Sequence, residues 1–209
     1  MLRSSGVDVP QPLGRDEDGR QVVEYVEGVL ALDELPLGRD ELLRVGRMIR
    51  QIHDASEKVV IPNPDGWKML LPAENPNLMC HNDLAPWNLI RGDRWVFIDW
   101  DGAGPSTRLW DLAYAAQSFG MLIEGQPVEE AALRLRAVVD GYEADGALRQ
   151  ALPDAMAKRT AAMFNLLKSS NETGFQPWAD MYVNGHGEHW RGAAEYVLRN
   201  QAIWEQTLA

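Results

Sequence analysis

Cys80-His81-Asn82-Asp83-Leu84-Ala85-Pro86-Trp87-Asn88-Leu89-Ile90, followed closely by Val96-Phe97-Ile98-Asp99-Trp100-Asp101, decides the fold of this chain. It reads as strand, tight polar loop, strand, turn and strand, with an acidic residue at the end. Three groups suited to a phosphate and its metal stand at the corners of this unit: Asp83, Asn88 and Asp99. An Asp beside a hydroxyl can accept its proton as that oxygen attacks. An Asn oxygen and a second carboxylate can hold Mg²⁺ against nucleotide phosphates, because Mg²⁺ prefers hard oxygen ligands. Read singly, each of the three is a turn cap, the ordinary use of Asp and Asn. As an ordered set they point to phosphoryl transfer, which demands mainly positioning and charge neutralisation.

Upstream of this unit, Val9-Pro10-Gln11-Pro12-Leu13-Gly14 and Gln21-Val22-Val23-Glu24-Tyr25-Val26 flank the polar turn Arg15-Asp16-Glu17-Asp18-Gly19, a hairpin signal. Glu27-Gly28 ends the second strand, and a loose segment runs to Gly38. Leu42, Val45, Ile49 and Ile52 recur at helical spacing and predict a helix from Asp40, its cap, to His53. Residues 56–77, with Pro62, Asn63, Pro64, Asp65 and Gly66, read as a long connection with little regular structure. Downstream, Gly102-Ala103-Gly104-Pro105 reads as a turn leading into a helix over 109–121. Further helices are predicted over 128–142, 147–169 and 188–207, with breaks at Gly125-Gln126-Pro127, Asp145-Gly146 and 171–180. A short β segment, a small motif-bearing sheet and then mostly helices give an α+β pattern.

The order His81-Asn82-Asp83-Leu84…Asn88, then Ile98-Asp99-Trp100, resembles the kinase catalytic loop H-R-D-L-x-x-x-N and its following D-F-G. The Asn after the His and the Trp after the second Asp make it more similar to the aminoglycoside phosphotransferase and choline kinase-like family. Arg108-Leu109-Trp110-Asp111-Leu112-Ala113 resembles the start of that family's next helix, and Ile52-His53-Asp54-Ala55 its helix-ending His-Asp. The resemblance implies a protein kinase-like α+β fold with a mostly helical C-terminal lobe. It implies an enzyme that moves the γ-phosphate of ATP (or GTP) to a hydroxyl of a small, hydroxylated substrate with Mg²⁺. Under it Asp83 is the base, Asn88 and Asp99 are the metal ligands, and His81 braces the loop. Asp111 would hydrogen-bond the loop's backbone, a role compatible with its plainer reading as a carboxylate at a helix N-terminus. His53-Asp54 reads as a helix terminus and loop anchor. Glu24-Tyr25-Val26 falls where the family's inter-lobe hinge binds the adenine edge through backbone groups.

A complete kinase-like fold carries a Gly-rich phosphate loop and a strand Lys before the hinge. Met1–Gly14 contains neither a G-x-G-x-x-G nor a Lys. Residues 1–28 are therefore expected to be an incomplete nucleotide lobe, and residues 29–209 the C-terminal catalytic and substrate lobe. Three readings follow: a start upstream of Met1, a short form that binds nucleotide weakly, or an impaired pseudo-phosphotransferase acting as a small-molecule binding module. A homodimer partner is one way to cover the sheet edge left open.

The 209 residues are 45% hydrophobic and 24% charged, an ordinary globular composition with no apolar run able to span a bilayer. Met1–Ser5 lacks a secretory apolar segment, and the single cysteine, Cys80, suits a reducing cytoplasm. Cys80 itself is expected to be buried and inert. A net charge of −11 argues against nucleic acid and is compatible with a cationic substrate, although acidity is first a solubility feature. Asp101 is a candidate acidic contact for such a substrate. His186-Gly187-Glu188-His189 lacks the H-E-x-x-H spacing and reads as a polar helix start rather than a zinc site. Trp178, Trp190 and Trp204 suit either a pocket wall or core packing. Glycoside hydrolysis by Asp83 and Asp99 would leave Asn88 and the Leu84-Ala85-Pro86 spacing unexplained.

Overall fold

Short strands need immediate partners, and the strands here find them in three small antiparallel ladders. The computed structural model describes residues 2–60 and 66–209. β1 (Pro12–Arg15) and β2 (Gln21–Val23) form the predicted hairpin. Asp16 closes its turn by accepting the amides of Asp18 at 3.0 Å and Arg20 at 2.8 Å, the local bonding that makes Asp a turn residue. Both strands are exposed along their whole length. β3 (Val29–Leu30) pairs with β5 (Leu89–Arg91), which pairs with β6 (Trp95–Phe97). β4 (Leu78–Cys80) pairs instead with β7 (Gly104–Ser106).

Two of these pairings correct the sequence reading. The motif does not sit on one small sheet: its strands β4 and β5 belong to different ladders, divided by a 3-10 turn at Pro86–Asn88. The predicted loose segment before Gly38 contains β3, which carries no alternation because it has two residues. Gly28, at φ +145°, permits that pairing, since a Cβ there would stand 2.4 Å from the Arg91 carbonyl oxygen. The segment Gly102–Pro105 is not only a turn, because residues 104–106 form β7. Asn82 draws it in by donating its side-chain amide to the carbonyls of Gly102 at 3.1 Å and Gly104 at 3.3 Å.

α1 (Arg39–Ser56) buries Leu42, Val45, Ile49 and Ile52, the predicted stripe. Its N-cap is Gly38 rather than Asp40: the Glu41 carboxylate takes the Gly38 amide at 2.8 Å, which leaves Asp40 inside the first turn. α2 (Arg108–Phe119) starts from Thr107, whose hydroxyl accepts the Trp110 amide at 3.1 Å. α3 (Val128–Tyr142) falls where predicted. α4 (Gly146–Thr173) is capped by Asp145 and stops at Gly174, which adopts φ +71°. It runs past the predicted end at 169, so the break before α5 (Trp178–Met181) is shorter than the expected 171–180. The helix predicted over 188–207 is two, α6 (Gly187–Arg199) and α7 (Gln201–Leu208). The kink falls at Asn200, whose side chain takes the Tyr196 carbonyl at 2.9 Å. Between α5 and α6 the chain kinks over Tyr182–His186, where Asn184 and Gly185 leave helical geometry.

Of the predicted connection 56–77, Pro62, Asn63, Pro64 and Asp65 lie outside the described residues, and residues 67–77 contain no helix or strand. No helix among the described residues is long and apolar enough to cross a membrane. The principal core lies among α1, α2, α3, α4 and α7, with Leu84, Leu89 and Phe97 contributed by the motif. A second cluster, around Tyr114, Met163, Leu167 and Trp190, fills the space between α2, α4 and α6. α2 serves both, which its run of small residues, Ala113, Ala115 and Ala116, allows.

α1 and α3 meet backbone to backbone. A Cβ at Gly46 would stand 2.2 Å from the Val138 carbonyl oxygen, and one at Gly141 would stand 2.2 Å from the Leu43 carbonyl oxygen. Backbone cannot swing aside as a side-chain tip can, so the methyl of Gly46→Ala must force the helices apart. We expect that substitution to cost about 3 kcal/mol, near the upper end for overpacking, despite the better helix propensity of Ala. Urea denaturation measures it, and a neutral or stabilising result would contradict the close crossing.

Candidate active site

Asp111 is the hub of the site. It lies in the first turn of α2, fully buried, and its carboxylate gathers three donors. Oδ2 accepts from His53 Nε2 at 3.0 Å and from the His81 amide at 3.3 Å, and Oδ1 accepts from the Asn82 amide at 2.8 Å. Burial by itself raises this carboxyl, but the hydrogen bonds from His53 and the Asn82 amide outweigh it and hold the group below its ordinary value of 3.8. With Nε2–H of His53 given to Asp111, Nδ1 accepts the Tyr142 hydroxyl at 2.9 Å, and Tyr142 in turn accepts Arg108 at 3.1 Å. Arg108 also binds Asp54 and Glu57, each at 2.7 Å. Both halves of the His53-Asp54 pair thus anchor α1 to the site. Cys80 lies close to His53 and Asp111 and is buried; its thiol is pushed far up by burial and then by the Asp111 charge.

The loop held by Asp111 orders the remaining groups. His81 is buried, donates Nε2–H to the Ile98 carbonyl at 3.0 Å and accepts the Asp83 amide on Nδ1 at 3.3 Å. Its ring packs on Trp100 with centroids 4.4 Å apart. Burial lowers its pKa below 6.5, so the bracing ring is neutral. Asn88 is buried and donates Nδ2 to the Asp83 carbonyl at 3.0 Å and to its carboxylate at 2.7 Å. Asn82 and Asp99 adopt left-handed backbone, φ +66° and +60°, which costs a non-glycine residue roughly 1–2 kcal/mol. Such strain persists where the surroundings over-determine it.

A cavity of about 990 Å³ opens over this loop. Asp83, Asp99 and Asp101 border it, so three of the sequence-selected carboxylates face one space, and Asn88 lies beneath them against Asp83. Trp178 and Trp190 border it too, whereas Trp204 is in the principal core, donating to the Val197 carbonyl at 3.0 Å. His186 and His189 face the cavity at the entry to α6. Glu24, Tyr25 and Val26 do not border it. Glu24 is ion-paired with Arg94, Tyr25 is 83% exposed, and Val26 is buried.

Arg159 is the main group that sequence reasoning missed. It is 4% exposed, borders the cavity, donates to the Asn82 carbonyl at 3.2 Å and lies 4.3 Å over the Tyr114 ring. Its Nη1 has no hydrogen-bond partner among the described residues. Its sequence signal was an arginine among Met156, Thr160, Met163 and Leu167 on the buried side of α4. Tyr114 was missed as well; burial, then the neighbouring Asp83 charge, raises its phenol well above the ordinary value. It stacks on Trp190 with centroids 5.8 Å apart and meets Trp87 edge-on.

A polar loop carrying Asp83 and Asn88, a strained Asp99 beyond the next hairpin and a helical wall opposite define the architecture of a small-molecule kinase. Residues 64–149 match the family model described as "Phosphotransferase enzyme family". The whole chain shares its fold with a microcompartment-associated aminopropanol kinase, at 18% identity and a TM-score of 0.65, covering 100% of this chain and 80% of that one. A choline/ethanolamine kinase family protein from Mesorhizobium loti matches at 18% identity and a TM-score of 0.53, over 98% of this chain and 80% of that one. A Plasmodium vivax ethanolamine kinase matches at 12% identity and a TM-score of 0.59, over 99% and 72%. No match was found among curated proteins.

Removing Asp111 strands the buried His53 and two loop amides. Asp111→Ala is expected to cost about 3–5 kcal/mol of stability in urea denaturation. The pH dependence follows from the two shifted groups. His81, lowered from 6.5, contributes stability that is fully present above 6.5 and declines as pH falls below it. Asp111, lowered from 3.8, contributes stability present above 3.8 that is lost as pH falls through its folded value. Both losses run toward acid, so urea midpoints should fall from pH 7 to pH 5.5 and fall again below pH 4. A rise over either interval would contradict these assignments.

Proposed function

We propose that this protein is a kinase that transfers the γ-phosphate of ATP or GTP to the hydroxyl of a small, cationic amino alcohol. The observation that carries the reading is the Asp83–Asn88 pair, bonded at 2.7 Å, beneath a cavity that Asp83 and Asp99 share. Asp83 orients the acceptor hydroxyl and takes its proton. The oxygen donors fit Mg²⁺: Asn88 spends its nitrogen on Asp83, which leaves its carbonyl oxygen for a cation, and Asp99 offers an exposed carboxylate. Bound there, Mg²⁺ would neutralise phosphate charge. His81 and Asp111 hold the loop in register, and Arg159 ties it to α4 through the Asn82 carbonyl. Backbone groups of Glu24, Tyr25 and Val26 are assigned the adenine edge. In this reading residues 1–28 belong to the nucleotide lobe, residues 29–209 are the catalytic and substrate lobe, and the cytoplasm supplies the nucleotide.

The names of the similar structures, kinases of aminopropanol, choline or ethanolamine, support an amino alcohol as acceptor. The net charge of −11 and the presence of Asp101 at the cavity favour a cation there. One observation favours a second reading, a binding module without transfer: Glu24, Tyr25 and Val26, assigned the adenine edge, do not border the cavity that Asp83 and Asp99 share.

The test is incubation with Mg·ATP and a panel of 1-amino-2-propanol, ethanolamine, choline and an amino sugar, reading phosphorylated product. Asp83→Asn should lower kcat about 10²–10⁴-fold, the usual contribution of a positioned base. Equal rates in both proteins would remove Asp83 from the role. Asp99→Asn should raise the Mg²⁺ concentration needed for half-maximal rate at least tenfold. Absence of both transfer and a thermal shift at millimolar Mg·ATP would decide for the binding module.

A further inference from the structure

We infer that the acceptor alcohol is carried on a bulky, apolar, ring-bearing body rather than being a bare amino alcohol. The inference rests on the reading of the cavity as the acceptor site, and names the ligand class that this particular cavity takes.

Size is the first ground. Water occupies about 30 Å³ per molecule in the liquid, so an amino alcohol of about five heavy atoms displaces about 150 Å³. The cavity holds about 990 Å³, at the upper end of what drug-sized ligands occupy. Phosphate and Mg²⁺ held at Asp99 would take part of this volume, but the nucleotide base would not, because Glu24, Tyr25 and Val26 do not border this space.

The distribution of chemistry is the second ground. The carboxylates come from the motif, whereas α4, α5 and α6 contribute Met163, Leu166, Trp178, Met181 and Trp190. Polar groups on that helical side, apart from Arg159, are confined to Asn184, His186 and His189 around the kink between α5 and α6. An apolar wall facing a few convergent polar groups suits a ligand with one reactive hydroxyl end and a hydrophobic remainder. A bare amino alcohol has nothing to place against it.

Exposed apolar surface beside the same space is the third ground. Trp67 and Leu70 are 38% and 48% exposed and border the cavity. Large side chains exposed together around a concavity mark a surface that a ligand covers. The helix also departs from regularity here. Asn184 and Gly185, the latter at φ +101°, leave helical geometry between α5 and α6, and this kink brings Asn184, Gly185 and His186 to the cavity border.

Calorimetry without nucleotide tests the inference, with ethanolamine, N-benzylethanolamine and N-(naphthylmethyl)ethanolamine as probes sharing one cationic, hydroxylated head. Each enlargement of the ring should tighten Kd about tenfold. Trp178→Ala, which removes a ring from the wall, and Met181→Trp, which fills the space with new bulk, should each weaken binding of the naphthyl compound at least fivefold. The two act oppositely on volume, so one survives as a test if the other fails to fold. Equal affinity for ethanolamine and its benzyl derivative, or a naphthyl affinity that neither variant changes, would overturn the inference. Phosphate transfer to the same compounds is read separately. Transfer to ethanolamine with no gain from the ring would reject the ligand class and leave the kinase reading standing. Ring-dependent binding with no transfer would uphold the ligand class and reject the kinase reading.

Discussion

A carboxylate taken out of water must be surrounded by donors, and the Asp111 carboxylate on α2 gathers its donors from two separate parts of the chain. His53 comes from α1, the two amides come from the loop after β4, and Asp111 itself opens α2. Desolvation of a charge costs several kcal/mol unless hydrogen bonds repay it. The loop conformation that delivers the His81 and Asn82 amides is therefore tied to the stability of the helical core. His53 extends the network to Tyr142 on α3 and, through Arg108, to Asp54 and Glu57. The loop that carries Asp83 is thereby bolted to three helices by one buried anion.

The placement of α2 follows from its composition and governs the cavity. Small residues let it pack on the principal core with one side, while Tyr114 turns toward α4 and α6 on the other. That second cluster is the floor of the site. Arg159 reaches into it to hold the Asn82 carbonyl and covers the Tyr114 face, at the expense of one guanidinium nitrogen left unbonded among the described residues. A buried cation is weak support for stability and is commonly neutral or unfavourable against an apolar replacement. Its contribution here is positional: it fixes the residue immediately before Asp83.

The loop carrying Asp83 and Asn88 was legible in the sequence because its contacts are local. Asp83 and Asn88 are five positions apart and meet within one loop, and His81 reaches Ile98 across a single hairpin. Helix positions were legible for the same reason, since α1 and α3 carry uninterrupted apolar spacing. The ladders were not. β3 has two residues, β7 is Gly-Pro-Ser, and neither length nor composition announces a strand. Both exist because a partner strand and the Asn82 side chain were already in place to receive them.

The amino-acid order by itself determined the kind of loop at the centre of this protein, its three oxygen-bearing residues and the helices that follow. Those properties depend on neighbours a few positions away, where spacing and residue type suffice. Only the tertiary structure decided that Asp111 closes on His53 from 58 positions away, that Arg159 braces Asn82 from 77 positions away, and that the wall opposite the carboxylates is apolar. Contacts of that length depend on how whole helices pack, and packing is set by the summed burial of many side chains rather than by any pattern along the chain.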